Sequence, residues 1–123
     1  MLGIRNVKIE TISQGTIELG HILIGDGKIV ALGNDVDLSG CATVIDGQGR
    51  VVTPGLIDPH THLGLSESGV GREGTDTNEG TNPITPFLSV RDGINMQDQA
   101  FENFRKSGIT TVGILPGSGN VIG

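Results

Sequence analysis

The sequence contains no tryptophan and no tyrosine, and its only aromatic residues are Phe87, Phe101 and Phe104. Aromatic side chains supply the largest single apolar burials in a protein core, so a chain with three of them has few large core anchors. We therefore expect a core of isoleucine, valine and leucine, with modest stability for a chain of 123 residues.

Positive charge is also scarce. The chain has 8 lysine and arginine residues against 14 aspartate and glutamate residues, which gives a net charge of −6. Because proteins bind the phosphates of nucleic acids through clustered lysine and arginine, this balance argues against a nucleic-acid partner. It does not identify a substrate.

Cysteine occurs once, at Cys41, which excludes an internal disulfide. Cys41 lies beside Ala42 and Val44 and far in sequence from any histidine, so we expect it to pack rather than to bind a metal or act as a nucleophile. Residues 1–8 lack the apolar segment of a secretory signal, and no run approaches the ~18 apolar residues of a membrane span. These absences predict a cytoplasmic protein without a membrane partner.

Two of the three histidines, His60 and His62, end an apolar run that begins at Val51. If residues 51–62 form one strand, Asp58, His60 and His62 project to the same side, because side chains alternate along a strand. Neutral imidazole binds zinc, iron or nickel, and two imidazoles on a mostly buried strand need partners. We therefore predict that His60 and His62 bind a metal, rather than being merely polar residues at a strand end.

The roles of the neighbouring polar residues are more open. Asp58 is either a carboxylate bonded to solvent or backbone, or an outer group that orients a ligand or a neighbouring strand. His21 lies between Gly20 and Ile22 and is expected to be a surface or packing residue. Two histidines supply only half of a tetrahedral site, and no catalytic residue is identified in this chain.

Residues 1–50 are predicted to form short strands of a small β-meander. The clearest signal is Asp26-Gly27, a two-residue hairpin turn between two apolar runs. Pro54 and Pro59 cannot donate to a strand ladder, so they should lie at the two ends of the following strand. Its pairing is then limited to about residues 55–58.

A second group of elements follows after a long gap. Helical spacing and a cap at Asn95 predict a helix that ends before Gly108, with its apolar residues at Met96, Ala100, Phe101 and Phe104. Residues 109–115 form a β-branched run that is typical of a buried parallel strand. Strand, helix and strand would together make one right-handed βαβ unit.

The connection over residues 63–94 is far longer than the ~4–6 residues typical of a loop, so it is either functional or disordered. Active sites of α/β barrels are built from loops at the carboxyl ends of strands. Candidates for lid or substrate contacts are therefore five of its charged residues: Glu67, Arg72, Glu73, Asp76 and Glu79. The alternative is a solvated, flexible loop.

Residues 53–62 resemble the first barrel strand of the metal-dependent amidohydrolase superfamily, close to its imidazolonepropionase and dihydroorotase-like branches. Upstream, residues 22–33 resemble a hairpin of the small β-sandwich that precedes the barrel in that superfamily. The resemblance implies a mixed α/β fold. Residues 1–50 would be a segment of the β-sandwich, and residues 51–123 would hold the first strand, long loop, helix and second strand of an incomplete (β/α)8 barrel of the TIM type.

The resemblance also implies an activity, which is hydrolysis of a C–N bond in a cyclic amide or similar small molecule. It implies one or two divalent metal ions, with zinc expected, and it does not separate amide hydrolases from ring deaminases. The remaining metal ligands and an aspartate base would lie on later strands, outside this sequence. Because such a barrel needs about 200–250 residues or more, we expect the N-terminal portion of a longer enzyme, inactive by itself and prone to self-association.

Two other functions remain open. The chain is alternatively a non-catalytic association module, built from a β-meander and a βαβ segment. A third interpretation concerns residues 117–123, which follow a predicted strand and loosely resemble a dinucleotide-binding turn. Their spacing is Gly-x-Gly-x-x-x-Gly, and the chain has neither the helix nor the later acidic residue of that motif, so an active-site loop is favoured.

Overall fold

The computed structural model describes residues 1–122 and shows a β-rich, mixed α/β chain, as predicted. Within those residues the elements are β1 (Leu2–Glu10), β2 (Thr16–Gly25), β3 (Lys28–Gly33), β4 (Thr43–Asp46), β5 (Val51–Val52), β6 (Leu56–Thr61), β7 (Ile84–Thr85), α1 (Gln99–Lys106), β8 (Ile109–Ile114) and β9 (Val121–Ile122). The chain divides into two compact units, Met1–Pro54 and Gly55–Gly123. The assignment of residues 1–50 and 51–123 to two domains stays a prediction.

The first unit is one mixed sheet in the order β3-β2-β1-β4, with β5 also pairing with β1. Strands β1, β2 and β3 are antiparallel neighbours, which is the predicted meander. Strands β4 and β5 run parallel to β1, so the meander does not extend through residues 1–50. Because β2 pairs with one edge of β1, strands β4 and β5 pair with the other edge of β1.

The turn between β2 and β3 follows the sequence prediction closely. Gly25 and Lys28 are paired across the hairpin, which leaves Asp26 and Gly27 as its two central residues. Their φ angles are +51° and +71°, and positive φ at both central positions defines a type I′ turn. Glycine is favoured at position 27 because it adopts positive φ without steric cost.

The core of the first unit is small and aliphatic. Val7, Ile9 and Ile22 are buried, and four half-buried apolar residues pack on them: Ile4, Ile17, Ile24 and Val52. The free Cys41 is half-buried, and its Sγ lies over Gly3. Its contacts are therefore those of a packing residue.

His21 makes a specific hydrogen bond in the first unit. The backbone N–H of Asn6 donates to its Nδ1 at 3.2 Å. Asn6 has a φ of +56° and lies where the pairing of β1 with β2 shifts register. His21 therefore has a structural contact at an irregularity of β1.

Residues 51–62 do not form a single strand, which corrects the sequence prediction. Val51 and Val52 pair with β1 in the first unit, whereas β6 pairs with β8 in the second. Pro54 lies between the two strands and has no N–H to donate to either sheet. The prediction that pairing ends near residue 58 is also wrong, because it continues to Thr61, with an irregular register around Pro59.

In the second unit, β6 and β8 are parallel neighbours, and α1 lies between them in sequence. The right-handed crossover of a βαβ unit stays a prediction. Neither strand is mostly buried as expected, and Leu56 and Ile57 of β6 are 56% and 69% exposed. A sheet of two strands has too few neighbours within the described chain to cover both of its faces.

The helix is shorter than predicted and has a different cap. It begins after Asp98, whose carboxylate accepts the N–H of Ala100 at 3.1 Å. The predicted cap, Asn95, instead accepts the N–H of Gln97 in the turn before the helix. Gly108 follows the helix with a φ of +87°, in agreement with its predicted role as the terminator.

The long connection over residues 63–94 has defined hydrogen-bonded structure. It contains two 3₁₀ turns, Gly71–Gly74 and Val90–Gly93, and the short strand β7, which runs parallel to β9. Leu63 and Leu65 at its start are buried. In the described part of the chain, no helix is long and apolar enough to cross a membrane.

Candidate metal centre

His60 and His62 lie close together at the carboxyl end of β6. Their ring centroids are 5.7 Å apart and the ring planes are inclined by 85°. The alternation of strand side chains accounts for this, since His60 is in β6 and His62 follows its last residue, Thr61. The separation is compatible with both rings binding one ion, because a histidine nitrogen lies about 2.0–2.1 Å from a zinc ion.

The ring of His62 is oriented by the backbone of the neighbouring strand. Its Nδ1 is 2.8 Å from the carbonyl oxygen of Leu115. A carbonyl oxygen only accepts hydrogen bonds, so Nδ1 carries the proton and donates, and in the neutral imidazole Nε2 is then left with a free lone pair. Metal-binding histidines commonly have this arrangement, in which the second ring nitrogen is bonded to a carbonyl or carboxylate.

Leu115 reaches His62 because the two parallel strands end together. Thr61 is paired with Ile114, and the N–H of Leu115 donates to the carbonyl oxygen of Thr61 at 2.9 Å. Sequence reasoning missed Leu115, because every residue has a backbone carbonyl and the residue type carries no signal. Only a correct register between the two strands would have identified it.

Asp58 contacts the backbone of the histidine pair rather than a ring. Its Oδ1 accepts the N–H of His60 at 3.2 Å. Of its two predicted roles, the contact fits a backbone-bonded carboxylate. This hydrogen bond restrains the backbone at His60. Any effect of Asp58 on a metal ligand stays a proposal.

Residues 62–65 form a tight turn that we call the His62 turn, in which His62 is exposed and Leu63, Gly64 and Leu65 are buried. The N–H of Leu65 donates to the carbonyl oxygen of His62 at 3.0 Å, and Gly64 has a φ of +77°. A Cβ at position 64 would lie 3.0 Å from Cε2 of Phe101 and 3.1 Å from the carbonyl oxygen of Asn95. The turn therefore packs against the segment that begins α1.

Asp98 links the start of α1 to the chain that follows the His62 turn. It is 8% exposed, and its Oδ1 accepts the N–H of Ala100 and also the N–H of Ser68, at 3.3 Å. The pKa of Asp98 is lowered, with the amide of Ala100 as the largest cause and Ser68 and the nearby backbone of Gly64 as smaller ones, although burial acts in the opposite direction. Sequence reasoning missed this link, because a cap residue carries no sign of a second, distant donor.

Among residues 1–122, the contacts of Asp76 and Glu79, two of the charged residues proposed for the long loop, are with residues other than the histidines. The carboxylate of Glu79 accepts hydrogen bonds from the hydroxyl and the N–H of Thr81, which lower its pKa. Asp76 and Glu79 line a depression of about 250 Å³ with Asp92. Exposed positions are occupied by Arg72 and Glu73 in a 3₁₀ turn, while Glu67 is half-buried. Over residues 1–122 no three histidine, cysteine, aspartate or glutamate side chains are grouped as a metal site.

The glycine-rich segment after β8 is bonded to the long loop. Gly117 donates its N–H to Thr77, Gly119 donates to the side chain of Asn78, and Val121 donates to Pro83. These three amides are therefore not available to a pyrophosphate, and the segment continues into β9 rather than a helix. Gly123, the last residue of the proposed nucleotide-binding motif, lies outside the described residues.

Comparison with known proteins identifies relatives over most of the chain, although no family model matches it. It is 35% identical over 108 residues to an amidohydrolase from Hapsidospora irregularis, covering 85% of this chain and 11% of that protein. It is 48% identical over 64 residues to the imidazolonepropionase of Geobacillus kaustophilus, covering 46% of this chain and 15% of that enzyme. An adenine deaminase from Shewanella halifaxensis is 39% identical over 62 residues, covering 50% of this chain and 11% of that protein.

Solved structures give the same relationship. An amidohydrolase from Thermotoga maritima MSB8 matches with a TM-score of 0.87 and 36% identity, over 98% of this chain and 31% of that one. An atrazine chlorohydrolase from Arthrobacter aurescens TC1, complexed with zinc, matches with a TM-score of 0.50 and 36% identity, over 54% of this chain and 15% of that one. The chain thus spans less than a third of each of these proteins. It is therefore a relative of the amidohydrolases in sequence and in fold, and corresponds to one part of such a protein.

Proposed function

We propose that the chain is the N-terminal portion of a metal-dependent hydrolase that acts on a C–N bond in a cyclic amide or similar small molecule. The observation that carries this proposal is the pair of adjacent rings, His60 and His62, with the Nδ1 of His62 bonded to Leu115. Relatives named as amidohydrolase and imidazolonepropionase support hydrolysis of an amide, and the relative named as adenine deaminase keeps ring deamination as the nearest variant.

The donor set fits a divalent ion in part. His62 offers Nε2, His60 is exposed beside it, and the remaining ligands would come from residues outside this chain. Zinc is the ion we expect, since it suits imidazole ligands and one similar structure is complexed with it. A bound divalent ion would lower the pKa of its water to about 7 and polarise the scissile carbonyl.

The chain's own residues would hold and orient that site. Leu115 keeps the ring of His62 in one tautomer, and Asp58 fixes the backbone at His60. Both histidines lie at the carboxyl end of a parallel strand pair, which is where active sites of (β/α)8 barrels are built. We propose that β6, α1 and β8 begin such a barrel, that the first unit is part of a β-sandwich, and that the complete protein is cytoplasmic.

A second candidate is a non-catalytic association module. The observation that favours it is the exposure of large apolar side chains on two of the sheets, with Leu56 and Ile57 in the second unit and Ile29 and Val30 in the first. Exposed apolar surface of this kind marks sites that other chain segments or partners cover. Under either function we expect the 123-residue chain alone to be inactive as a hydrolase and to self-associate.

Calorimetric titration with zinc distinguishes the two functions. The 123-residue chain should bind zinc weakly, because residues outside it would complete the coordination. His60→Ala and His62→Ala should each abolish that binding, whereas His21→Ala is the matched control and should leave it unchanged. Equal zinc affinity in all four proteins would exclude the pair as ligands, and amide hydrolysis by the purified chain would contradict the inactivity of this portion.

A further inference from the structure

Asp98 uses a single oxygen to hold two parts of the second unit. Its Oδ1 accepts the N–H of Ala100, in the first turn of α1, and the N–H of Ser68, 30 residues earlier in the chain. The start of the helix and the loop after the His62 turn are thereby fixed relative to each other. A residue that served only as a helix cap would need the first of these two bonds and not the second.

Burying the carboxylate of Asp98 costs more free energy than burying a neutral helix cap such as serine. Asp98 is 8% exposed, and its second oxygen, Oδ2, is buried with no hydrogen-bond partner within residues 1–122. An unmatched buried carboxylate oxygen is unfavourable, whereas a serine cap would satisfy Ala100 with a small neutral group. The longer carboxylate is what spans from the helix to Ser68.

The loop that Asp98 holds continues directly from His62. Leu65 donates its N–H to the carbonyl oxygen of His62, and Gly64 accepts the N–H of Asn95 at 2.9 Å, three residues before Asp98. The His62 turn is thus held at Gly64 by the chain that enters α1, and just beyond its end by Asp98 through Ser68. Displacement of this turn would move the backbone at His62 and alter the bond between its ring and Leu115.

We infer that Asp98 is a positioning residue for His62, which holds the His62 turn so that the ring keeps its bond to Leu115 and presents Nε2 to a metal ion. The inference rests on the proposed function in one respect, which is that His62 is a metal ligand. The positioning of the turn and of the ring is independent of any metal and is measured without one.

The variants separate capping from positioning. Asp98→Ser keeps a good N-cap for Ala100 but is too short to reach Ser68 as well, so the chain should fold with the turn released. Asp98→Asn keeps an oxygen at the same distance from the backbone, so it should restore the wild-type behaviour that Asp98→Ser loses. Glu102→Ala is the matched control, because it removes an exposed acidic residue of the same helix, which is paired with Lys106.

Three measurements are made on the 123-residue chain. In metal-free protein at pH 8, long-range ¹H–¹⁵N spectra give the tautomer of His62, and amide hydrogen exchange gives the protection of Leu65. Zinc titration then gives the affinity of the folded protein, with the folded fraction taken from circular dichroism. For Asp98→Ser we expect a mixture of His62 tautomers, faster exchange at Leu65 and an affinity lower by about tenfold, as is typical when a group that orients a ligand is lost.

The outcomes are distinct. Folded Asp98→Ser could show the wild-type tautomer of His62, the wild-type exchange at Leu65 and the wild-type zinc affinity. That result would overturn the inference and leave Asp98 as a helix cap only. A change in thermal stability without a change in these three measurements would do the same. Failure of Asp98→Asn to rescue would also contradict it. If wild type and His62→Ala bind zinc equally, the proposed function is wrong, while the metal-free measurements still decide the role of Asp98.

Discussion

The carbonyl oxygen of Leu115 lies 2.8 Å from Nδ1 of His62 and joins the ends of two parallel strands through a side chain. This bond predicts a single tautomer for His62 in the metal-free chain, with the proton on Nδ1. Long-range ¹H–¹⁵N spectra above the pKa of free histidine, about 6.5, should show Nδ1 of His62 as the protonated nitrogen. A spectrum with Nε2 of His62 protonated would show that the bond is not formed in solution.

Gly64 provides a test of the His62 turn. A Cβ at this position would meet Phe101 and Asn95, and the φ of +77° disfavours any L side chain. Gly64→Ala should therefore lower the free energy of unfolding by more than the ~1–2 kcal/mol that a left-handed residue costs alone. The measurement is urea unfolding at equilibrium.

The matched control is Gly69→Ala in the same loop. Gly69 has a φ of +83° and no atom within 4 Å of the added Cβ, so it isolates the cost of the backbone conformation. The difference between the two variants then reports the contact with the segment before α1. Equal losses in both would mean that the His62 turn is not packed as described.

The proximity of the two histidines could be predicted from sequence, and the group that orients His62 could not. Strand alternation alone places His60 and His62 on one side, and Asp26-Gly27 predicts its turn because positive φ restricts the choice of residue. The contacts of Leu115 depend on strand register and use backbone atoms, for which one sequence gives no signal. The hydrogen bond between Asp98 and the backbone N–H of Ser68 joins residues 30 positions apart, and it has no sequence signal for the same reason.

The division of residues 51–62 into two strands shows a second limit. An apolar run indicates that a segment is extended, but not which sheet it joins. Val51 and Val52 pair with β1, and the chain passes Pro54 before it pairs with β8. The exposure of Leu56 and Ile57 was likewise not predictable, because it depends on how many neighbouring strands are present.

Acid should destabilise the chain through Asp98. Its pKa is lowered from the ordinary value of 3.8, chiefly by the N–H of Ala100. A carboxylate with a lowered pKa releases its proton more readily in the folded state, so its contribution is complete above the unfolded pKa and is lost as the pH falls below 3.8 through the folded value. The free energy of unfolding should therefore fall as the pH is lowered through this range.

The variant Asp98→Asn cannot titrate and should show a shallower loss of stability below pH 3.8 than the wild type. Asp46→Asn should have a similar effect, because the pKa of Asp46 is lowered by the N–H of Gln48 and by Asn6. Chemical denaturation at a series of pH values measures both slopes. A wild-type slope in Asp98→Asn would show that its hydrogen bonds also form in the unfolded chain or are absent from the folded one.

Self-association should follow from the exposed strand β6. Ile57 is 69% exposed in a sheet that has two strands among residues 1–122, and apolar side chains beside unpaired strand edges favour contact with another chain. Sedimentation velocity at micromolar concentration should show species larger than a monomer, together with binding of the dye ANS.

Ile57→Thr keeps a β-branched side chain but removes apolar surface, and it should reduce both signals. Val70→Thr likewise replaces an apolar β-branched side chain by threonine, at a 48% exposed residue outside the sheets, so it is the control and should reduce neither. A compact monomer that does not bind ANS would contradict the prediction, and equal behaviour of Ile57→Thr and wild type would assign the association to a surface other than β6.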